Sequence, residues 1–528
     1  MKKRYVALLA GALSLTSACN MDKFLDVNTN PNAPQLVTAN LYLPAMEHWL
    51  VTSPLYDGRF IGRYTQMFML PTTGSTPSTW DRMGYDPTSD NGGEQWRDVY
   101  WSFGQNLSDM MNKAQAEERW DLLGVGQVLR AWGWQVLVDT HGPIIIKEAF
   151  DQTRSTFDYD TEDYAYFAVD SLLHEAVKNL KRTDGAVDRA YLAKGDNLYN
   201  GDAAKWLKFA YGLLAISHNH YSNKASYDPT LVIAYVDSSF ASASDDAMWT
   251  YPQKDPNLQD YNFLGQSRGN FPSYRQTTFA LSLMDGTAFG GVVDPRKTRL
   301  LSPSPDGIYR GIDPKVPNKA FDSLTAPNNF YGWPGTQRPT PNSGRYVFDD
   351  KVTVPVMTYF QLQFVKAEAA YRKGDKGTAL AAYTTGISTH LDFVNSKIAL
   401  NGDTSEHPIT AVERAAFLGS PQIVPTAANL TLSQIMSQKY IAQWGWGFNE
   451  AWMDMRRYHY TDLDPASGQK VFIGFTAPTN LYPDNNGKLV YRIRPRYNSE
   501  YVWNGAALDA IGALAADYQT APLWIIQP

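Results

Sequence analysis

The residue types able to do covalent chemistry are few and poorly placed. Gly265-Gln-Ser267-Arg-Gly269 has the G-x-S-x-G spacing of a nucleophile elbow. That motif works only when a strand enters and a helix leaves, so that the serine stands exposed on a sharp turn. Here DPNLQDYNFL precedes it and NFPSY follows, with Pro272 where the helix should run. Spacing alone therefore gives no nucleophilic serine. His218-x-His220 puts two rings on different faces of a helix, and no H-E-x-x-H occurs, so a metallohydrolase lacks support. Asp245-Asp246 and Asp349-Asp350 are adjacent in sequence and read as solvated. A glycosidase pair is defined by a spatial separation of about 5–10 Å, which sequence leaves open. No metal site and no cofactor is expected.

The composition favours non-covalent chemistry. The chain of 528 residues holds 32 Tyr, 15 Trp and 23 Phe, and only 19% of it is charged; about 25% is usual. An indole or phenol ring offers a flat apolar face to the C–H side of a sugar or to a peptide side chain, at small conformational cost. Trp80, Tyr85, Tyr261, Tyr331 and Trp333 lie in irregular chain beside Asp81, Asp86, Asn262, Asn328 and Asn329, whose polar groups suit hydroxyls. These five aromatics are the expected ligand-binding residues. Trp96, Trp132, Trp206 and Trp452 fall on helical stripes and are expected in the core. A net charge of −6 without a basic tract argues against nucleic acid as a partner.

The elements that must position these rings are helical. Phe360, Phe364, Ala367, Ala370 and Tyr371 recur at three- and four-residue steps, one face of a helix that Gly374 ends. Asp375 caps a second helix with the stripe Ala379, Ala382, Tyr383 and Ile387. The pair is close to a tetratricopeptide hairpin, which cannot bury its own apolar face and needs others stacked on it. Further helical periods run through Leu41–Val51, Phe60–Phe68, Trp96–Ala114, from Leu122 to a Gly142-Pro143 stop, and Tyr164–Leu180 behind an Asp160–Asp163 cap. Others follow Trp206–Leu214, a capping box at Thr431–Gln434, and Asn449–Arg457. Residues 223–352 lose the pattern and hold many Pro, Gly, Asn and aromatic residues, so much irregular chain that a ligand face is its expected use. Asp484-Asn485-Asn486-Gly487 predicts a turn into a strand at Leu489–Arg494, a short β-hairpin.

Met1-Lys2-Lys3-Arg4, an apolar run from Val6 to Leu15 and small Ser17-Ala18 make residues 1–18 a secretory signal peptide. Cys19, the single cysteine, follows directly and resembles the lipidation site of bacterial lipoproteins. Acyl chains there would hold the protein on a membrane. Residues 19–40 read as a lipid-anchored tether and 41–528 as one domain. No later apolar run is long enough to span a bilayer.

Taken together, the segments resemble the SusD/RagB-like nutrient-binding outer-membrane lipoproteins, in the starch-binding-associated branch. The marks are Cys19, Trp96-x3-Tyr100, Val138–Pro143, and Asp196–Asp202 with Trp206 and Lys208-Phe209. Asp294-Pro-Arg296, Met357–Tyr359 with Ala367–Ala369, and Gln438–Tyr440 with Glu450–Trp452 and Arg456-Arg457 follow. Arg496–Glu500 with Asn504 completes the set. Ala215–His218 departs from the usual Leu-x-Leu-Arg, and Pro143 stands where acidic residues often follow.

The resemblance implies a mainly α fold. Tetratricopeptide-like hairpins stack as a superhelix, with long irregular ligand-face loops and a few short β-hairpins. It also implies a non-enzymatic surface lipoprotein of the outer membrane that delivers nutrient oligomers, oligosaccharide before oligopeptide, to a SusC-like TonB-dependent transporter. Asp294-Pro-Arg296 is expected as a buried ion pair of the fold. Two other classes remain to be distinguished: a glycan- or ester-cleaving hydrolase, which would convert its ligand, and a helical-repeat protein-binding scaffold, which would need no aromatic insert.

Overall fold

The computed structural model describes residues 37–71, 78–254, 260–316, 322–338, 345–401 and 407–528. The expected signal peptide, Cys19 and most of the expected tether lie outside these residues. The longer helices in chain order are α1 (Leu43–Tyr64), α2 (Gly104–Ala116), α3 (Trp120–His141), α4 (Glu162–Leu180), α5 (Ala203–His220) and α6 (Pro229–Ser238). They continue as α7 (Tyr359–Lys373), α8 (Lys376–Asn401), α9 (Ala411–Leu418), α10 (Leu432–Gln443) and α11 (Phe448–Arg457).

Helix α7 is the hub because it is apolar on two sides. Phe360, Phe364, Ala367 and Ala370 enter one hydrophobic core, while Leu362, Val365 and Ala369 enter a second. Thr358 caps its start, and Gly374, at φ 88°, ends it. Asp375 then accepts the Thr378 N–H at 3.0 Å to open α8, whose Ala379, Ala382, Tyr383 and Ile387 are all buried. A Cβ on Gly386 would lie 2.9 Å from the Phe364 ring, so glycine there lets the two helices close. Sequential pairs α2–α3, α3–α4, α5–α6, α7–α8 and α10–α11 pack together. Contacts of α4 with α5, α6 with α7 and α7 with α10 carry the stack onward. The mainly helical architecture of stacked hairpins is thus the observed one. Trp96, Trp132, Trp206 and Trp452 are buried in it, as their helical spacing requires.

The buried charges cross-link the layers. Arg457 donates to Glu368 at 2.7 and 2.9 Å and to Asp454 at 2.6 Å. Lys439 bridges Glu450 and Asp454, and Glu450 reaches His220 at 3.0 Å. Arg296 pairs with Asp294 at 2.5 Å out of water and also meets His390, so Asp294-Pro-Arg296 is the ion pair expected. Removing one partner from such a pair strands the other without solvent. Asp196 organises its loop by accepting the N–H groups of Leu198, Tyr199 and Gly201 and the indole N–H of Trp206.

Five details differ from the sequence reading. The helices expected over Leu41–Val51 and Phe60–Phe68 are the single helix α1, which runs through Pro54 and ends before Phe68, a strand residue. The run from Trp96 to Ala114 is not one helix: a π-helical turn, Asp98–Phe103, precedes α2, and Gly104 sits at φ 37°. Helix α6 lies inside the stretch read as irregular; Asp228 caps it and Pro229 starts it, a signal the weak amphipathic pattern obscured. Asp160 does not cap α4 but accepts the N–H groups of Ile146 and Lys147. Leu489–Arg494 forms no hairpin, since Tyr491 and Ile493 donate instead to Gln519 and to Thr140 at the end of α3. The strand pairs among the described residues are long-range. Strand β1 (Phe68–Met69) pairs antiparallel with β3 (Arg275–Gln276), and β2 (Ala247–Thr250) with β4 (Thr353–Met357). The β2–β4 pair clasps the chain at either end of residues 251–352 into a neck.

Candidate functional site

Beyond that neck the insert is held by its own polar side chains. Asn262, fully buried, donates to the carbonyls of Val347 and Asp349 at 2.7 and 2.8 Å. Asn329, also buried, accepts the N–H groups of Tyr331 and Trp333 at 3.0 and 3.1 Å and donates to the Gln337 carbonyl at 2.7 Å. Arg275 gathers the carbonyls of Pro272, Tyr274, Pro327 and Gly335. Burial pulls its guanidinium down to about 10, still charged at neutral pH. Beneath these turns Phe271 stacks with Tyr274, Phe330 and Phe348 at 4.8–5.3 Å, and Phe330 meets Trp444 edge-on. The described turns of this loop are therefore tied together through both backbone groups and rings.

Trp333, on the turn that Asn329 holds, keeps 45% of its surface in water. Tyr261 is half-buried on the adjoining segment, which the Tyr331 hydroxyl ties down by donating to Leu264 and Gly265 at 2.9 and 3.2 Å. Arg338 adds a bond to the Gln266 carbonyl at 3.2 Å. Asn328 Oδ1, on the same turn as Trp333, has no hydrogen-bond partner among the described residues. Of the five expected aromatics, Trp333 and Tyr261 are the two that keep surface in water.

The other three expected ligand residues are corrected by their burial. Trp80 is 1% exposed between Phe60, Tyr64 and Tyr85, and its indole N–H goes to Asp86 at 2.8 Å. Tyr85 is buried beside it and donates to the Ser89 carbonyl. Tyr331 is buried and secures the loop from below. Trp80 sits in a single 3-10 turn, Thr79–Arg82, and Tyr85 and Tyr331 in irregular chain, none of which has a period that separates buried from exposed positions. Asn262 and Asn329, expected to meet ligand hydroxyls, spend their amides on backbone. Arg275 had no distinguishing signal, since the contacts that join it to the Trp333 turn, Pro327 and Gly335, are distant in sequence.

The enzyme-like motifs resolve as structure. Ser267 Oγ and N–H both meet Asp350 at 2.8 Å, in irregular chain without an entering strand. His218 pairs with Asp170 at 2.8 Å, and His220 lies between Asp139 and Glu450. Asp245, Asp349 and Asp350 are buried rather than solvated, and Asp245 pairs with Lys208 at 2.8 Å. Asp246, half-buried, accepts the Tyr359 N–H at 2.6 Å, and desolvation raises it to about 7. No group of His, Cys, Asp and Glu that could hold a metal occurs among the described residues. No helix among them is long and apolar enough to cross a membrane.

The sequence matches the model of a family described as "Starch-binding associating with outer membrane" over residues 33–474. Solved structures share the fold. A SusD/RagB family protein of Bacteroides thetaiotaomicron aligns with TM-score 0.65 at 22% identity, covering 93% of this chain and 99% of its own. A SusD homologue of Bacteroides fragilis gives 0.71 at 18%, covering 93% and 100%. A chitin-binding SusD homologue of Flavobacterium johnsoniae gives 0.60 at 19%, covering 92% and 96%. Among curated proteins none matches the sequence.

Proposed function

The chain belongs to the SusD-like family of starch-binding proteins that associate with the outer membrane, and from that premise we propose that it captures neutral nutrient oligosaccharides without converting them. The observation that carries this reading is Trp333, a half-exposed indole on a turn fixed by Asn329 and Arg275. A pre-formed ring face binds a pyranose without first ordering a loop, which keeps the entropic cost low. The family description and the chitin-binding neighbour support glycan over peptide. Ser267 bonded to Asp350 rather than to a histidine supports binding without catalysis. In this proposal residues 1–18 direct export, Cys19 carries the lipid, and the ligand passes to a SusC-like TonB-dependent transporter.

The test is calorimetric titration of the protein with neutral oligosaccharides and mixed oligopeptides, followed by chromatography of the ligand. Binding of glycans alone, with the ligand recovered intact, is expected. Trp333→Ala should weaken it at least about tenfold, or ~1.4 kcal/mol. Cleaved ligand or peptide-only binding overturns the proposal.

A further inference from the structure

A second aromatic surface lies away from the insert, where the π-helical turn Asp98–Phe103 faces a π-helical turn at Tyr497–Tyr501. Between them is a groove of about 500 Å³, inside the range of about 300–1,000 Å³ usual for small-molecule sites. Its walls are the rings of Trp96, Tyr100, Trp101, Phe150 and Phe157. Trp101 is 77% exposed, whereas its neighbours are fixed from behind. The Tyr100 hydroxyl donates to the Ile145 carbonyl at 2.8 Å and accepts its N–H at 2.9 Å. The Trp96 N–H goes to Glu500 at 3.3 Å. The polar handles of Trp96 and Tyr100 are thus engaged by the protein, and both residues line the groove.

The backbone around the groove is unusual at three independent places. Two π-helical turns flank it, a feature that recurs at functional sites. Phe150, a bulky residue, is held at φ 69°, its ring stacked on Trp134 and under the Arg130 guanidinium at 4.3 Å. Such conformations persist only where the surroundings enforce them, and they cluster at sites that bind.

The polar groups select the ligand. Arg97 is paired with Glu94 at 2.6 Å and Arg496 with Asp90 at 2.5 Å. Glu500 accepts from Trp96, from Tyr159 at 2.7 Å and from Asn504 at 3.1 Å. Both rim arginines are therefore ion-paired, and the Glu500 carboxylate is held by three neutral donors. Ser499 Oγ, in the lining, is buried and has no partner among the described residues. A hydroxyl in that state favours a ligand that brings a donor or acceptor.

We infer that this groove is a second carbohydrate site, in which a neutral pyranose stacks on Trp101 and hydrogen-bonds Ser499. It rests on the reading above only for the ligand class, since its residues are separate from Trp333 and Tyr261. The test uses maltoheptaose and chitotetraose with wild type, Trp101→Ala, Ser499→Ala and Trp333→Ala. Wild type should bind at two sites. Trp101→Ala should lose one and Trp333→Ala the other. Ser499→Ala should weaken the Trp101 site three- to tenfold with no fall in thermal midpoint, because its hydroxyl has no internal bond to lose. Unchanged stoichiometry and affinity in Trp101→Ala overturn the inference while leaving the Trp333 reading intact. Loss of only the Trp333 reading would show as binding that Trp333→Ala leaves untouched and Trp101→Ala removes. Shielding of Trp101 from oxidation by purified transporter, with none by either sugar, also overturns the inference, because the occupant would then be protein.

Discussion

Replacing Trp80 and Trp333 separately by alanine distinguishes the packed core from the ligand face. Trp80 is 1% exposed, with ring centroids of Phe60, Tyr64 and Tyr85 at 4.8, 5.1 and 5.3 Å. Burying 150–250 Å² of aromatic surface is worth about 4–6 kcal/mol at ~25 cal/mol per Å². Truncations of buried Phe and Trp typically cost about 3–5 kcal/mol, because the cavity closes only in part. Trp333 keeps 45% of its surface in water, and its N–H stays bonded to Asn329 after truncation. A surface change of that kind costs about 1 kcal/mol or less. Urea unfolding followed by circular dichroism should therefore place Trp80→Ala about 3 kcal/mol below Trp333→Ala. Oligosaccharide affinity should move the opposite way, falling in Trp333→Ala and staying within a few-fold in folded Trp80→Ala. A Trp80→Ala protein of unaltered stability that has lost binding would refute the assignment. So would a Trp333→Ala protein as unstable as Trp80→Ala.

Three further outcomes are expected. Asn329→Ala should lower affinity by about as much as Trp333→Ala, roughly tenfold or ~1.4 kcal/mol, because the turn loses the acceptor that fixes the Trp333 N–H; calorimetry with the same glycan checks this. Burial alone would depress His220, but the carboxylates of Asp139 and Glu450, at 3.4 and 3.0 Å, raise it to about 9. Its contribution to stability is then complete below the unfolded value of ~6.5 and lost as pH rises through about 9. Thermal midpoints from pH 6 to 10 should fall more steeply in wild type than in His220→Gln, and parallel curves would reject the coupling. Gly195→Ala should destabilise by at least about 1–3 kcal/mol, the range for overpacking, since its Cβ would lie 1.8 Å from the Asn40 carbonyl oxygen; a chemical-unfolding midpoint equal to wild type would count against this docking of the segment before α1.

The sequence by itself determined the scaffold. The three- and four-residue recurrence in α7 and α8, the Gly374-Asp375 junction and the Thr431 capping box are local features, and each formed where its residues predicted. Helical stripes likewise identified Trp96, Trp132, Trp206 and Trp452 as core, because a stripe fixes which way a side chain faces. Only the tertiary structure decided the loops. Trp80, Tyr85, Tyr331 and Trp333 share the same kind of neighbourhood in sequence, yet three are buried and one is exposed. Irregular chain has no period to link sequence position to direction. Its side chains are oriented by tertiary partners, as Arg275 fixes the Trp333 turn through the Gly335 carbonyl and as Tyr497–Tyr501 meets Asp98–Phe103 across the chain. Burial of a loop residue is a property of the elements that cover it, as Phe60 and Tyr64 of α1 cover Trp80, and no period within the loop reports them.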